Sequence, residues 1–265
     1  MRRLAALLLL APCTAPAQPL EYDCMIEARQ AIEIRSPVEA VIEQVKVRRG
    51  DVVTRGQILV ELASGPERAA LALARSRADA IGEIKSAQAR QDISQKKADR
   101  AQELFKQNFI SANSRDEAMA ELQLATEELR RARENQQLAE LEAKRSSEVL
   151  AMRTIRSPLN GVVVEVLLKP GEFGAISFKD PIMRLAQIDP LHVEVVLPVS
   201  AYGRIKARQR AIVMPEAPVG GSYPTTVAVI DPVVDAASGT FGVRLELANH
   251  KRLIPAGVRC KVRFQ

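Results

Sequence analysis

The chain has no tryptophan, and only 3% of its 265 residues are aromatic. This composition excludes a large aromatic core and a row of side chains on which nucleic-acid bases could stack. Lysine and arginine alternate with aspartate and glutamate through the middle of the chain, which is typical of solvated helix faces. We therefore predict no nucleic-acid partner, although the formal net charge is +6.

Motifs of catalysis and of cofactor binding are also missing. The sequence contains no G-x-S-x-G, no H-E-x-x-H, no glycine-rich phosphate loop and no C-x-x-C. The only two histidines, His192 and His250, lie 58 positions apart, and roles in packing or at the surface are favoured for both. We predict that the protein is not an enzyme and that it binds no metal or cofactor.

Long apolar runs are absent. The longest one at the N-terminus, Leu4–Ala11, is too short to span a bilayer as a helix. It follows Arg2 and Arg3 and precedes an A-x-A cleavage pattern that ends at Ala17. This order of features predicts a secretory signal peptide over residues 1–17 and an exported mature chain.

The chain has only three cysteines. Cys13 lies in the predicted leader, and its lipidation is an alternative that the preceding Pro12 disfavours. Cys24 and Cys260 lie in strand-like stretches near opposite ends of the chain, and export places them in an oxidising compartment. A disulfide between Cys24 and Cys260 is the favoured prediction, and two buried free thiols are the alternative.

What the sequence does contain is an internal repeat of 21 residues. The segment IRSPVEAVIEQVKVRRGDVVT at 34–54 returns as IRSPLNGVVVEVLLKPGEFGA at 155–175, offset by 121 positions without a gap. Apolar and polar residues alternate in both copies, as in half-buried strands, and neither copy could bury its apolar face alone. We predict that residues 35–63 and 155–187 form one β sandwich.

The residues between the two copies, 64–154, are predicted to be helical. Pro66 and an acidic residue after it are typical of a first helical turn. The pattern breaks at 107–113, after which Ser114 and Glu117 fit a capping box for a second helix. Two antiparallel helices of about forty residues each would bring the chain back to its starting point.

A seam of apolar positions spaced four and three apart predicts that these helices pack as a two-stranded coiled coil. In the second helix the seam is Ala118, Leu122, Ala125, Leu129, Ala132, Gln136, Ala139, Ala143, Ser146 and Leu150. In the first helix it is Leu73, Arg77, Ala80, Ile84, Ala87, Gln91, Ser94, Ala98, Ala101 and Phe105. Alanine dominates both, so the hairpin should be slender.

Short strand-like segments with proline and glycine turns fill residues 188–265 and predict a small β-barrel. A leading strand at 18–34 is expected to join this barrel. The predicted fold class is therefore a mixed, elongated multidomain protein: a lipoyl-like β sandwich split by an α-helical coiled-coil hairpin and followed by a β-barrel.

These features together resemble one family, the periplasmic adaptor or membrane-fusion proteins of tripartite efflux and secretion systems, of the resistance-nodulation-division type or a related secretion type. The repeated IRSP segments are similar to the family's motif, and so is DAASGTFGVRLELANHKRLIPAG in the barrel. The resemblance implies a periplasmic location, an inner-membrane transporter and a TolC-type outer-membrane channel as partners, and a homo-oligomeric ring, which is six-fold in the family.

Family members that dock on a TolC-type channel carry an arginine, a leucine four positions on and a serine seven further at the hairpin tip. This chain has Arg100, Leu104 and Ser111 at that spacing. The resemblance implies that these three residues bind the channel.

The carrier domains and the larger adaptors each differ from this chain in one respect. The lipoyl and biotinyl carrier domains, which the half-module also resembles, display an acceptor lysine on the turn between their halves, and here the helical hairpin replaces that turn. Larger adaptors also continue into a membrane-proximal domain, which we expect to be missing or reduced. The alternative function is a coiled-coil scaffolding or assembly protein of the cell envelope with a different partner.

Overall fold

A computed structural model of the chain describes residues 21–174 and 181–265. The predicted leader with Cys13, the first residues of the leading strand and a short part of the predicted sandwich lie outside the described residues. The chain forms two compact units. One holds the residues up to Ile32 with 159–164 and 184–265, and the other holds 33–158 and 165–183.

Strands precede, flank and follow three consecutive helices. In chain order the elements are β1 (Glu21–Ile34), β2 (Ala40–Val45), β3 (Val52–Val53), β4 (Ile58–Leu62), α1 (Gly65–Ala78), α2 (Gly82–Lys106), α3 (Ala112–Ala151), β5 (Thr154–Arg156), β6 (Gly161–Val166), β7 (Phe173–Gly174), β8 (Met183–Pro198), a 3-10 turn (Val199–Ala201), β9 (Arg210–Pro215), β10 (Tyr223–Ile230), β11 (Thr240–Leu247) and β12 (Val258–Phe264).

The two copies of the sequence repeat fold alike. β2 and β6 are offset by 121 positions, and so are β3 and β7. Gly50 and Gly171 occupy the same turn with the same φ of 92°, a conformation that glycine adopts without steric cost. In each turn a carboxylate accepts a backbone N–H three residues before it at 2.7 Å, Asp51 from Arg48 in one copy and Glu172 from Lys169 in the other.

Strands from the two copies pair with one another in the second unit. Its four-stranded sheet has the order β5-β4-β2-β7, in which β5 and β7 come from the second copy. The backbones of Ile42 and Glu172, and those of Ile34 and Ile182, are joined by further hydrogen bonds of 2.9 and 2.7 Å. The buried apolar residues that these strands and their flanks supply are Ile34, Ala40, Ile42, Val47, Val53, Leu59, Val60, Leu62, Ile155, Ile182 and Met183.

The helical insert forms a hairpin with one intact arm and one interrupted arm. α3 is a continuous helix of 40 residues, close to the predicted length. The other arm is divided into α1 and α2 by a break at 79–81, so the prediction of one helix of about forty residues there is wrong. Gly82, the only glycine between Pro66 and Met152, follows the break directly. Glycine is among the residues that favour a helix interior least.

The break changes the phase of the seam. All ten seam positions predicted on α3 are buried or half-buried, and on α2 the seam is correct from Ile84 onward. Before the break it is wrong: Leu73 and Arg77 are exposed, and Leu71 and Ala74 are buried in their place. A continuous helix keeps its apolar stripe in register, whereas residues outside the helix reset it.

A side chain of α3 forms a hydrogen bond with the end of α1 in the interrupted arm. The amide Nε2 of Gln136 donates a hydrogen bond to the carbonyl oxygen of Ala78, the last residue of α1. The last carbonyls of a helix have no partner inside the helix. Gln136, the one amide in the seam of α3, therefore supplies a partner that the break removed.

The first unit contains a closed barrel. Its strands follow the order β1-β12-β9-β10-β11-β8, and β1 also pairs with β8, which closes the ring. β6 is a further hydrogen-bonded neighbour of β8. The core of the barrel consists of Cys24, Ile26, Leu191, Val193, Val195, Leu197, Ala201, Ala211, Val213, Val227, Phe241, Val243, Leu245, Leu247, Ile254, Cys260 and Val262. A split sandwich, a helical hairpin and a barrel are all present, so the predicted fold class is confirmed.

Within residues 21–174 and 181–265, every helix is too short or too polar to cross a bilayer.

Candidate functional site

The tip of the hairpin is the turn between α2 and α3. Asn108 stands in this turn with a φ of 60°, a left-handed conformation that asparagine tolerates better than most residues. The N–H of Asn108 donates to the carbonyl of Phe105 and that of Phe109 to the carbonyl of Leu104, both at 2.9 Å. These bonds hold the backbone of the turn against the end of α2.

Arg100, Leu104 and Ser111, which the sequence singles out, all lie at this tip. Arg100 is exposed on α2, and Leu104, one turn further along the same helix, is half-buried. Ser111 is exposed and begins α3. The geometry thus offers a charged and an apolar group beside a turn, and their role in binding stays a prediction.

Ser111, and not Ser114 as predicted from the sequence, caps the N-terminus of α3. Ser111 is the N-cap of α3, and its Oγ accepts the backbone N–H of Ser114 at 3.2 Å. The expectation that Ser114 and Glu117 form the capping box is therefore wrong by one turn. Both serines fit the N-cap preference, and the hydroxyls lie 3.1 Å apart. Any substitution of Ser111 will act on helix stability as well as on a partner.

Phe109 is the tip residue that the sequence analysis missed. Its side chain is 72% exposed at the apex, beside a backbone that is held by hydrogen bonds. By contrast, the nearby Phe105 is half-buried, and the guanidinium carbon of Arg115 lies over its ring, 4.3 Å from the centroid. An exposed aromatic on a fixed backbone is a common anchor in protein interfaces. An asparagine directly before an aromatic, after a predicted helix end, is the signal that could have identified Phe109.

Polar pairs across the hairpin fix the register of its arms. Arg90 Nη1 lies 2.8 Å from Glu128 Oε2, and Lys97 bonds Glu121. The hydrogen bond with Glu121 raises the pKa of the Lys97 ammonium above its ordinary value. Because these side chains are about half-exposed, they contribute little to stability and mainly select one alignment of the two arms.

At its base the hairpin is joined to the sandwich by Arg153. Arg153 Nη2 lies 2.6 Å from Glu67 Oε1 in the first turn of α1, and Nη1 donates to the carbonyl of Glu39 at 3.3 Å. The Arg153 and Glu67 side chains are only 19% and 16% exposed. The backbone carbonyl of Arg153 also accepts the N–H of Leu62 at 2.9 Å. One residue thus holds the start of α1, the end of α3 and the first half-module together.

Cys24 and Cys260 face each other in the barrel. Cys24 of β1 and Cys260 of β12 are direct cross-strand partners. Their Cα atoms are 4.9 Å apart, and their sulfurs are bonded in the structure. The pair joins strands 236 positions apart in the chain. The disulfide between Cys24 and Cys260 stays a prediction, which thiol titration tests.

A second polar cluster fixes the turn before β12. Asp189 Oδ1 accepts the backbone N–H of Asn249 at 3.0 Å, and Oδ2 lies 2.8 Å from His250 Nδ1. The Asn249 hydrogen bond, together with His250, holds the pKa of the Asp189 carboxyl below its ordinary value. The Asn249 side chain is buried and bonds the backbone of Ile188 and Ile254, so it organises the turn.

No three histidine, cysteine, aspartate or glutamate side chains converge closely enough to hold a metal ion in the part of the chain that the structure describes.

Comparisons with known proteins agree with this architecture. Residues 30–187 match the family model for a CzcB-like, barrel-sandwich hybrid domain, and residues 190–265 match that for a CusB-like, beta-barrel domain. The nodulation protein NolF of Rhizobium meliloti (strain 1021) is 24% identical over 225 residues, which are 85% of this chain and 57% of NolF. The chain spans about half the length of the curated relatives it matches.

Solved structures share the fold. MacA from Actinobacillus actinomycetemcomitans superposes with a TM-score of 0.76 at 18% identity, covering 93% of this chain and 78% of MacA. The membrane fusion protein Spr0693 from Streptococcus pneumoniae R6 gives a TM-score of 0.61 at 16% identity, covering 93% of this chain and 98% of Spr0693. At these identities the likeness supports the fold alone.

Proposed function

Because the chain belongs to the family of membrane-fusion, or periplasmic adaptor, proteins of efflux and secretion systems, we propose that it links an inner-membrane transporter to a TolC-type outer-membrane channel for the export of small molecules. In this proposal the protein catalyses no reaction. It works in the periplasm, and its sandwich domains assemble side by side in a homo-oligomeric ring, six-fold as in the family.

The observation that supports the proposal most is the composition of the hairpin tip. Arg100, Leu104 and Ser111 lie there at the spacing that the family uses for channel docking, and Phe109 projects beside them. Arginine and aromatic side chains are enriched in protein interfaces, so an exposed Arg100 and an exposed Phe109 support a binding role for the tip. The tip would contact the channel, and motion of the transporter would reach the channel through the hairpin.

The proposal is tested with Arg100→Asp and Leu104→Asp. Each should abolish co-purification of the channel and efflux, while circular dichroism shows an unchanged helix content. Leu124→Asp is the matched control, because Leu124 is 68% exposed on α3 and lies more than three turns from the tip. Normal efflux in both tip variants would refute the docking role.

A photo-crosslinker in place of Phe109 separates the proposal from the alternative of an envelope scaffold. The aromatic probe suits this position because Phe109 is exposed and aromatic, whereas the left-handed backbone at Asn108 would resist it. Adducts with an outer-membrane channel support the adaptor function. Adducts with any other envelope component favour the scaffold.

A further inference from the structure

Two loops meet at one end of the barrel and form what we call the barrel rim, residues 199–209 and 231–239. β8 ends where β11 begins, because Thr240 pairs with Pro198. The loops that follow β8 and precede β11 therefore leave the barrel at the same end. They are tied to each other by the N–H of Val199, which donates to the carbonyl of Gly239 at 2.9 Å.

The barrel rim exposes apolar side chains from both loops. Val199 is 51%, Tyr202 49% and Val233 77% exposed, whereas Ala201 and Phe241 beside Tyr202 are buried. The Tyr202 ring is held edge-on against Phe241, with centroids 5.1 Å apart. These apolar side chains are thus exposed to solvent on loops that a hydrogen bond and a ring contact hold in place.

The first loop of the barrel rim and the start of β9 also carry cations. Arg204, Lys206, Arg208 and Arg210 are all exposed, and none has a carboxylate within 4.0 Å among the described residues. The pattern differs on the barrel wall, where Arg244 is paired with Glu194 at 2.5 Å. The three charges of the loop and that of Arg210, the first residue of β9, are therefore available to an external anion.

The acidic residues of the barrel rim are engaged within their own loop. Asp235 accepts hydrogen bonds from the N–H of Ala237 at 3.0 Å and from Ser238 Oγ at 2.8 Å. Asp231 lies so close to Gly242 that a Cβ at that glycine would meet its Oδ2 at 2.2 Å. These carboxylates are directed at their own loop and its neighbouring strand and do not neutralise the cationic loop.

The cationic loop is held in place by its own hydrogen bonds. Gln209 Oε1 accepts the N–H of Lys206 at 2.8 Å, and its Nε2 donates to the carbonyl of Gln265 at 3.0 Å. Arg208 has a φ of 65° and donates its N–H to Val227 at 2.8 Å. A loop fixed in this way loses little conformational freedom when it binds.

We propose that the barrel rim binds the surface of a membrane that contains anionic phospholipid. Lysine and arginine attract lipid phosphates, tyrosine prefers the headgroup level, and short aliphatic side chains enter the boundary of the acyl chains. Each lysine or arginine near an anionic leaflet contributes about 1 kcal/mol of attraction, so several unpaired cations beside exposed apolar side chains favour a lipid surface. The proposal concerns the barrel, whereas channel docking concerns the hairpin tip, so membrane binding does not depend on channel docking.

The test is sedimentation of the exported, purified protein with vesicles of phosphatidylcholine alone or with roughly one quarter phosphatidylglycerol. The protein should bind only the anionic vesicles, and binding should weaken as salt rises. Arg204→Gln with Lys206→Gln should lower the affinity about 30-fold, since two cations near an anionic surface are removed. Val233→Ser should also weaken binding, while the barrel melts at an unchanged temperature because Val233 is largely exposed.

The matched control is Lys251→Gln with Arg252→Gln. It removes the same charge from the turn that precedes β12, at the other end of the barrel. It should leave vesicle binding as in the wild type. Equal binding to neutral and anionic vesicles, or equal loss in the control and rim variants, would overturn the proposal. The proposal would also be overturned if the protein bound no vesicles and a crosslinker at Val233 captured an inner-membrane protein. That result would assign the barrel rim to a protein partner. The Phe109 crosslink reports on channel docking separately.

Discussion

Replacement of Arg153 by methionine should loosen the base of the hairpin. Methionine keeps much of the aliphatic stem but removes the guanidinium that bonds Glu67 at 2.6 Å and the carbonyl of Glu39 at 3.3 Å. Removing one member of a fully buried pair costs about 3–5 kcal/mol, whereas an exposed pair contributes about 0–1 kcal/mol. The two side chains are 19% and 16% exposed, so the cost should lie between these limits, at about 2 kcal/mol.

The existing geometry also argues against the upper limit. Glu67 Oε2 and Arg153 Nε are buried without a hydrogen-bond partner, so part of the desolvation cost is already present in the native protein. A double variant, Arg153→Met with Glu67→Leu, should therefore be more stable than the sum of the single variants predicts.

The assay is hydrogen exchange, because it reports local opening at the hairpin base as well as global unfolding. In Arg153→Met the first turn of α1 and the last turn of α3 should exchange faster, while the barrel is unchanged. Arg130→Met is the control, since Arg130 makes only exposed ion pairs with Glu127 and Glu134. Additive effects in the double variant, or wild-type exchange at the base in Arg153→Met, would refute the reasoning.

Four further predictions concern other sites. Ellman titration of the unreduced, denatured protein should find no free thiol from Cys24 and Cys260, and reduction should destabilise the barrel by up to about 5 kcal/mol, whereas two thiols per chain would reject the disulfide. Gln136→Ala should speed hydrogen exchange at the end of α1, at a cost of about 1 kcal/mol for the carbonyl left without its partner, and wild-type protection would contradict this role. Ser111→Ala should destabilise α3 by about 1 kcal/mol and Ser111→Asp should not, so loss of channel binding in both would show a contact role beyond the cap. The pKa of the Asp189 carboxyl is lowered in the folded state. Its contribution to stability is therefore present above the unfolded pKa of about 3.9 and is lost as the pH falls through the folded pKa. The melting temperature of Asp189→Asn, measured against pH, should equal that of the wild type only in acid.

The sequence predicted the sandwich well because the repeat carries its own structural constraints. A positive φ at Gly50 and again at Gly171, with alternating valines before them, leaves little choice in how each half folds. Apolar faces that cannot be buried alone then require the two halves to pair. The hairpin followed for a similar reason, since α3 keeps one mostly apolar seam from Ala118 to Leu150.

Details that depend on small energy differences were not predictable. The break at 79–81 contains no proline, and Gly82 alone does not distinguish an interruption from a tolerated glycine. The phase of Leu71 and Ala74 depends on that break. Ser111 and Ser114 both suit an N-cap, so the choice between them rests on how the turn closes against α2. The exposure of Phe109 likewise depends on the left-handed Asn108 before it.

The place at which the hairpin enters the sandwich has an evolutionary consequence. β4 and β5, the strands on either side of the insert, are hydrogen-bonded neighbours, with Glu61 opposite Thr154. The sheet therefore closes in the same way whatever the number of residues between them. Matched deletion of seven residues from each arm would shorten the helical arms by about 10 Å and leave the strand pairing intact. Under the proposed function, relatives that differ only in this one segment would bridge periplasms of different depth.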